Sequence, residues 1–124
     1  MDLRVTRFAD TVVLAPAGRI DHGNAEDLKS ALRPYLERCA VGQDQVILDL
    51  SGVDYISSAG LRVLMLARKQ TKAQGGTLVV AGLGTVVKEI FEISRFTVVF
   101  SIFATVRDAL GSISPAGLAA FERA

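Results

Sequence analysis

The sequence predicts one α/β domain, a mixed and mostly parallel sheet of about five strands covered by about four helices. Three observations predict it. The apolar runs Val46–Leu50 and Thr77–Ala81 lack alternation, as strands buried on both faces do. The segments between and around them carry apolar residues at three- and four-residue spacing, the mark of amphipathic helices. Strand and helix signals alternate after a first hairpin, which suits parallel strands joined by helical crossovers.

The elements follow in order. Leu3, Val5 and Phe8 lead to Ala9-Asp10, and Thr11 to Ala17 follows, so two antiparallel strands with a tight turn are expected. Pro16 lacks an amide donor and marks an edge position, a bulge or the strand's end. Gly18 to Gly23 reads as a loop, and Asn24 can cap the helix after it. That helix carries Ala25, Leu28, Ala31, Leu32, Tyr35, Leu36 and Cys39 on one stripe, with Pro34 expected to kink it or restart its last turn. After the strand at Val46–Leu50, Ser57 or Ser58 caps a helix running to about Gln74 and stopped by Gly75-Gly76. Its half from Ala59 to Ala67 is apolar nearly all round apart from Arg62, so it should pack deep. Thr77–Ala81 is a strand. Gly82-Leu83-Gly84 then opens a helix with Val86, Val87, Ile90, Phe91 and Ser94 on one side. Val98–Ser101 reads as a last short strand and Ile102–Leu110 as a helix. Ser114 followed by Pro115 is a cap with proline at the first helical position, so Pro115–Arg123 should add a terminal helix.

Composition narrows the function classes. A chain of 124 residues, half of them hydrophobic, fits one domain with one real core. Fourteen basic against 13 acidic residues give a formal charge of +1, with no field drawing nucleic acid or an anionic membrane. Cys39 and His22 are the single cysteine and histidine, so no intrachain disulfide forms and no zinc-ligand spacing appears. No cofactor is expected. Met1-Asp2-Leu3-Arg4 lacks the layout of a signal peptide, and no apolar run approaches the ~18 residues a bilayer needs. A cytoplasmic location without membrane insertion is the expectation.

The stretch Val46 to Arg62 is the most informative. An apolar strand ends in an acidic, glycine-containing turn, and Ser57-Ser58 stand where a helix begins. A hydroxyl there can simply cap the helix, which is worth ~1 kcal/mol over alanine. It can also accept a phosphate, since free amides and the positive dipole end favour an anion, with Arg62 one turn further in. Such a phosphate would leave the helix intact and act by adding ~1.5 to 2 negative charges to a docking surface. Nucleophilic catalysis would require His22 as base, and the segment has no G-x-S-x-G elbow. Gly82-Leu83-Gly84 is half a dinucleotide fingerprint, but the third glycine's position is Val87. Asp21, Asp49 and Asp54 could gather at strand ends around a metal. Cys39 sits on the buried stripe, and Phe96, Phe100 and Phe103 form either core or an interface.

Leu48-Asp49-Leu50-Ser51-Gly52-Val53, with Ser57-Ser58-Ala59-Gly60-Leu61, resembles the signature of STAS-domain proteins, the anti-sigma factor antagonists. Gly18-Arg19-Ile20-Asp21 is similar to that family's loop ahead of its first helix. The resemblance covers residues 1–110 as a STAS domain and leaves 111–124 as a C-terminal extension. It implies a regulator without catalytic activity. Its partner would be an anti-sigma factor that is also a serine kinase, of the ATP-binding histidine-kinase-like type. Phosphorylation at the helix start would block binding, and a metal-dependent serine phosphatase would restore it. Arg19, Asp21, Ser57, Ser58 and Arg62 would border the docking face. The family pattern is Asp-Ser-Ser-Gly-Leu, with the modified serine directly before glycine. Aligned on Gly60-Leu61, that position is Ala59 and the aspartate position is Ser57. The acceptor implied is Ser58, with Ser57 the fallback. Two alternatives remain: an unphosphorylated STAS subunit of a transporter complex, and a small nucleotide-binding protein.

Overall fold

Strand β1 (Leu3–Phe8) turns at Ala9-Asp10 into β2 (Thr11–Pro16), paired antiparallel with Leu3 opposite Pro16 and Phe8 opposite Thr11. Ala9 adopts φ 56 in the left-handed region, as tight hairpin turns demand. The computed structural model describes all 124 residues. β4 (Gln45–Asp49), β6 (Leu78–Ala81) and β7 (Ile102–Phe103) join parallel, in the sheet order β1-β2-β4-β6-β7. Pro16 ends its strand.

Side chains alternate through this sheet. Val12, Leu14, Val46, Leu48, Leu78 and Val80 enter the larger core, while Val13, Ile47, Val79 and Ala81 enter the smaller one. Helices α1 (Ala25–Glu37), α2 (Ser58–Ala73), α3 (Thr85–Ile93) and α4 (Phe96–Val99) contribute to the larger core through Leu28, Leu32, Leu64, Val87, Phe91 and Phe96. Each such side chain contributes about 1.5–3 kcal/mol by leaving water. α1 runs on through Pro34. Cys39 lies beyond its end, buried, with Sγ donating to the Thr77 carbonyl at 3.2 Å, and burial pushes its pKa up to about 11.

α5 (Val106–Ile113) and α6 (Pro115–Arg123) cover the opposite face. Ser114 is buried and caps α6, its Oγ accepting from the Gly117 amide at 2.8 Å and donating to Asp10. The Phe8 and Phe121 rings meet edge to face, centroids 5.3 Å apart. A Cβ at Gly117 would lie 2.9 Å from Leu110 Cδ2 and 3.1 Å from the Phe8 carbonyl oxygen, so only glycine lets α6 sit this close.

The structure corrects several expectations. Gly18–Gly23 is not all loop, because Gly18–Ile20 is strand β3, parallel to β5 at Val53–Ile56, within the presumed turn. Strands of three and four residues are too short to display a period. Asn24 occupies the N-cap of α1 but makes no side-chain cap hydrogen bond. Residues 96–99 are helical, overlapping the strand expected at Val98–Ser101, and α5 starts at Val106, capped by Thr105, not at Ile102. Val98-Val99 favours a strand locally, but Phe96 and Phe100 have helical spacing and both pack on Phe91, with centroids 5.5 and 6.4 Å away. Leu66, expected deep, is 39% exposed.

Candidate functional site

The tip of α2 is fixed from below. Ser57 has φ −84 and ψ 173, outside the helix, and its amide donates to the Ile20 carbonyl at 2.9 Å. That bond extends the β3–β5 ladder and ties the helix start to the loop before α1. Ser57 Oγ accepts from the Gly60 amide at 3.3 Å, an N-cap bond. Only 6% of Ser57 is exposed. Gly60 must be small for a packing reason, since a Cβ there would lie 2.6 Å from Ile20 Cγ2 and 2.7 Å from Ile56 Cγ1.

Ser58 is the first residue of the helix and is exposed. The two adjacent hydroxyls therefore differ: that of Ser57 is consumed in capping under cover, and that of Ser58 faces solvent. The amides of Ser58 and Ala59 have no acceptor within the protein, so the positive end of a 16-residue helix is open at this point. Arg62, exposed, lies four residues on, on the same face of α2 as Ser58. Ala59, at the position where the family pattern has its modified serine, is half-buried and packs against the core.

The loop beside this tip is organised by its own polar groups. Asp21 Oδ1 accepts from the Gly23 amide at 2.9 Å, and Asn24 Oδ1 accepts from the Asp21 amide at 2.9 Å. Asn24 Nδ2 donates to the Arg19 carbonyl at 2.7 Å, so Asn24 braces the loop instead of capping α1. The Asp21 carbonyl takes the Ala25 amide at 2.9 Å. Arg19 Nε reaches Asp21 Oδ2 at 3.2 Å, and its guanidinium stands 4.1 Å from the centre of the Tyr55 ring. Such a stacked cation contributes ~0.5–1 kcal/mol at an exposed site. Tyr55 escaped the sequence reading because β5 did. Arg19 and Asp21 are thus joined to each other, and Ser58 and Arg62 share one helix face. Arg62 forms no hydrogen bond to Asp21 or to either serine.

His22 is exposed and makes no hydrogen bond to either serine. Asp21, Asp49 and Asp54 do not gather into a metal-binding group. Asp49 Oδ1 instead accepts from the Ser51 amide at 3.0 Å, shaping the turn after β4. Gly82, at φ 77, lets the chain pass that turn: a Cβ would lie 3.0 Å from Asp49 Oδ1 and 3.1 Å from Ser51 Cβ. Val87, where a phosphate loop would need its third glycine, is buried in the core.

A two-faced α/β sheet here presents a pinned loop and an open helix tip side by side. The chain belongs to the STAS domain family, which matches residues 2–109. It is 38% identical over 109 residues to BtrV of Bordetella bronchiseptica, to which the role of anti-sigma factor antagonist is ascribed, covering 88% of this chain and 90% of that one. An anti-sigma factor antagonist from Mycobacterium paratuberculosis superposes with a TM-score of 0.81 at 20% identity, over 90% of this chain and 92% of the other. SpoIIAA, an anti-sigma factor antagonist, matches in its unphosphorylated form with a TM-score of 0.72 at 17% identity, over 90% of this chain and 96% of the other. Its phosphorylated form gives 0.66 at 16% identity, over 90% and 99%. At these identities the structural likeness speaks for the fold. α6 lies beyond the matched residues yet packs into the smaller core.

Proposed function

We propose that this protein is an anti-sigma factor antagonist, a regulator without catalysis of its own. It binds an anti-sigma factor that is also an ATP-dependent serine kinase, and phosphorylation of Ser58 releases it. The carrying observation is the division of labour between two neighbouring hydroxyls, with Ser57 buried as the cap and Ser58 exposed at the helix tip. The 38% identity to BtrV supports the antagonist reading. SpoIIAA, solved with and without phosphate, supports the view that this fold tolerates the modification.

The physics follows from the open tip. A phosphoserine at the first helical position meets unpaired amides and the positive dipole, so it leaves α2 folded. It adds ~1.5 to 2 negative charges within reach of Arg62. A partner complementary to the uncharged tip would then bury an extra charge, and the complex weakens. A metal-dependent serine phosphatase resets the switch. Arg19, Asp21 and Arg62 border the docking face. An ATP-using partner places the protein in the cytoplasm, and no helix is long and apolar enough to cross a membrane.

The test is to incubate the protein with the cognate kinase and ATP and map phosphate by mass spectrometry. Phosphate on Ser58, and its loss in Ser58→Ala, is expected. Phosphate elsewhere, or none, refutes the switch. Ala59 at the usual acceptor position favours one second reading, an unphosphorylated subunit of a transporter complex. Co-purification with a membrane ATPase and no kinase would establish that reading.

A further inference from the structure

The seam between α1 and α2 is open along its outer edge. At the Ser58 end it forms a cleft of about 350 Å³, lined by Lys29, Arg62, Val63 and Leu66 among others. It continues as a smaller depression of about 60 Å³ in which Lys29, Val63 and Leu66 recur and Arg33 and Gln70 join them. Its floor is apolar, and Leu66 keeps 39% of its surface in water. Its rim is basic. Lys29, Arg33 and Arg62 oppose one acid, Glu26, in a chain whose total charge is only +1. The ion pairs of this protein are Arg7–Asp44, Arg19–Asp21, Arg38–Asp44 and Arg107–Glu122, so the three rim cations are unpaired.

We propose that the α1–α2 seam is a docking groove for an amphipathic helix of a partner protein, apolar on one stripe and acidic along its flanks. The apolar stripe covers Val63 and Leu66, and the carboxylates pair with Lys29, Arg33 and Arg62. From Ala59 to Gln70 the groove spans about 17 Å at 1.5 Å per residue, so the occupant is roughly three turns long. The groove begins at the tip that carries Ser58, and in this respect the inference rests on the proposed switch. A phosphate on Ser58 would claim Arg62, the uppermost cation, and so compete with the partner's first carboxylate. Arg33 lies at the far end and is independent of that event.

The test uses the full chain, isotopically labelled, and two synthetic helical peptides of three to four turns. Both carry leucines at i, i+3 and i+7, one flanked by glutamates and the other by lysines. The glutamate peptide should shift the amide resonances of α1 and α2 around Lys29, Arg33 and Leu66, and the lysine peptide should not. Lys29→Glu with Arg33→Glu should weaken the glutamate peptide about ten-fold or more, since two surface ion pairs become repulsions. That variant should leave the circular dichroism spectrum unchanged. Equal binding of both peptides, resonance shifts confined elsewhere, or full affinity in the double variant would overturn the groove. Groove binding without phosphate on Ser58 would overturn the switch and leave the groove standing.

Discussion

Replacing Ser57 and Ser58 one at a time should give opposite results for stability and for modification. Ser57→Ala removes the acceptor of the Gly60 amide and leaves that donor unmatched in a site only 6% exposed. Loss of a serine N-cap costs about 1 kcal/mol, within a range of roughly 0.5–2. For a domain of this size that lowers the melting temperature by roughly 3–6 °C. Ser58→Ala removes an exposed hydroxyl without a partner and should stay within about 0.5 kcal/mol of the parent. Ser58→Asp places a carboxylate at the positive end of α2 and should be neutral or stabilising by about 0.3–1 kcal/mol. Urea unfolding followed by circular dichroism gives the three differences, and kinase reactions on the same samples give the modification. Ser57→Ala should still be phosphorylated, while Ser58→Ala should not. Destabilisation by Ser58→Asp beyond about 1 kcal/mol, or a neutral Ser57→Ala, would refute the assignment of cap and acceptor.

Leu61, whose amide donates to the Ser57 carbonyl, is buried at 8% exposure, so Leu61→Ala should cost about 2–5 kcal/mol in the same unfolding assay. Phe121→Ala should cost about 1–3 kcal/mol by removing the ring that meets Phe8, and protease should then cut α6 first. Asp44 receives two hydrogen bonds from Arg7, at 2.9 and 3.0 Å, and these hold its carboxyl below the usual carboxylate value, with Coulomb attraction to Arg7 and the bond from Arg38 adding to the shift. A lowered native pKa contributes stability that is present above the unfolded value of ~3.9 and is lost as pH falls through the native one. Asp44→Asn should therefore flatten the acid side of the stability profile, read by unfolding between pH 6 and 2.

Periodicity made part of this fold legible. The hairpin at Ala9-Asp10, the strands at Gln45–Asp49 and Leu78–Ala81, and the helix after Pro115 each carry a repeated apolar signal or a cap with one physical meaning. β3 and β5 do not. They are three and four residues long, and only their pairing between distant parts of the chain makes them strands. Local preference at Val98-Val99 was overruled by Phe96 and Phe100, at helical spacing, packing on Phe91, a tertiary effect. In the site, the sequence located both serines but could not tell them apart, because each is a competent cap. Which one is buried depends on where β5 ends, and β5 was invisible. The stacking of Arg19 on Tyr55 was hidden for the same reason. The basic rim could not be read either, since its three cations lie on two helices whose crossing the periodicity leaves open.

The β3–β5 ladder also sets a gauge. Successive residues of a helix point about 100° apart, and the last bond of the ladder, from Ser57 to Ile20, fixes which of them faces outward. Deleting one residue between Val53 and Ile56 would carry Ser58 to the capping position and Ala59, which has no hydroxyl, to the tip, and would set Leu61 where only glycine fits against Ile20 and Ile56. The length of that short strand is therefore under a stricter demand than its composition, and a shift of a single position would silence the tip while leaving every side chain of α2 in the molecule.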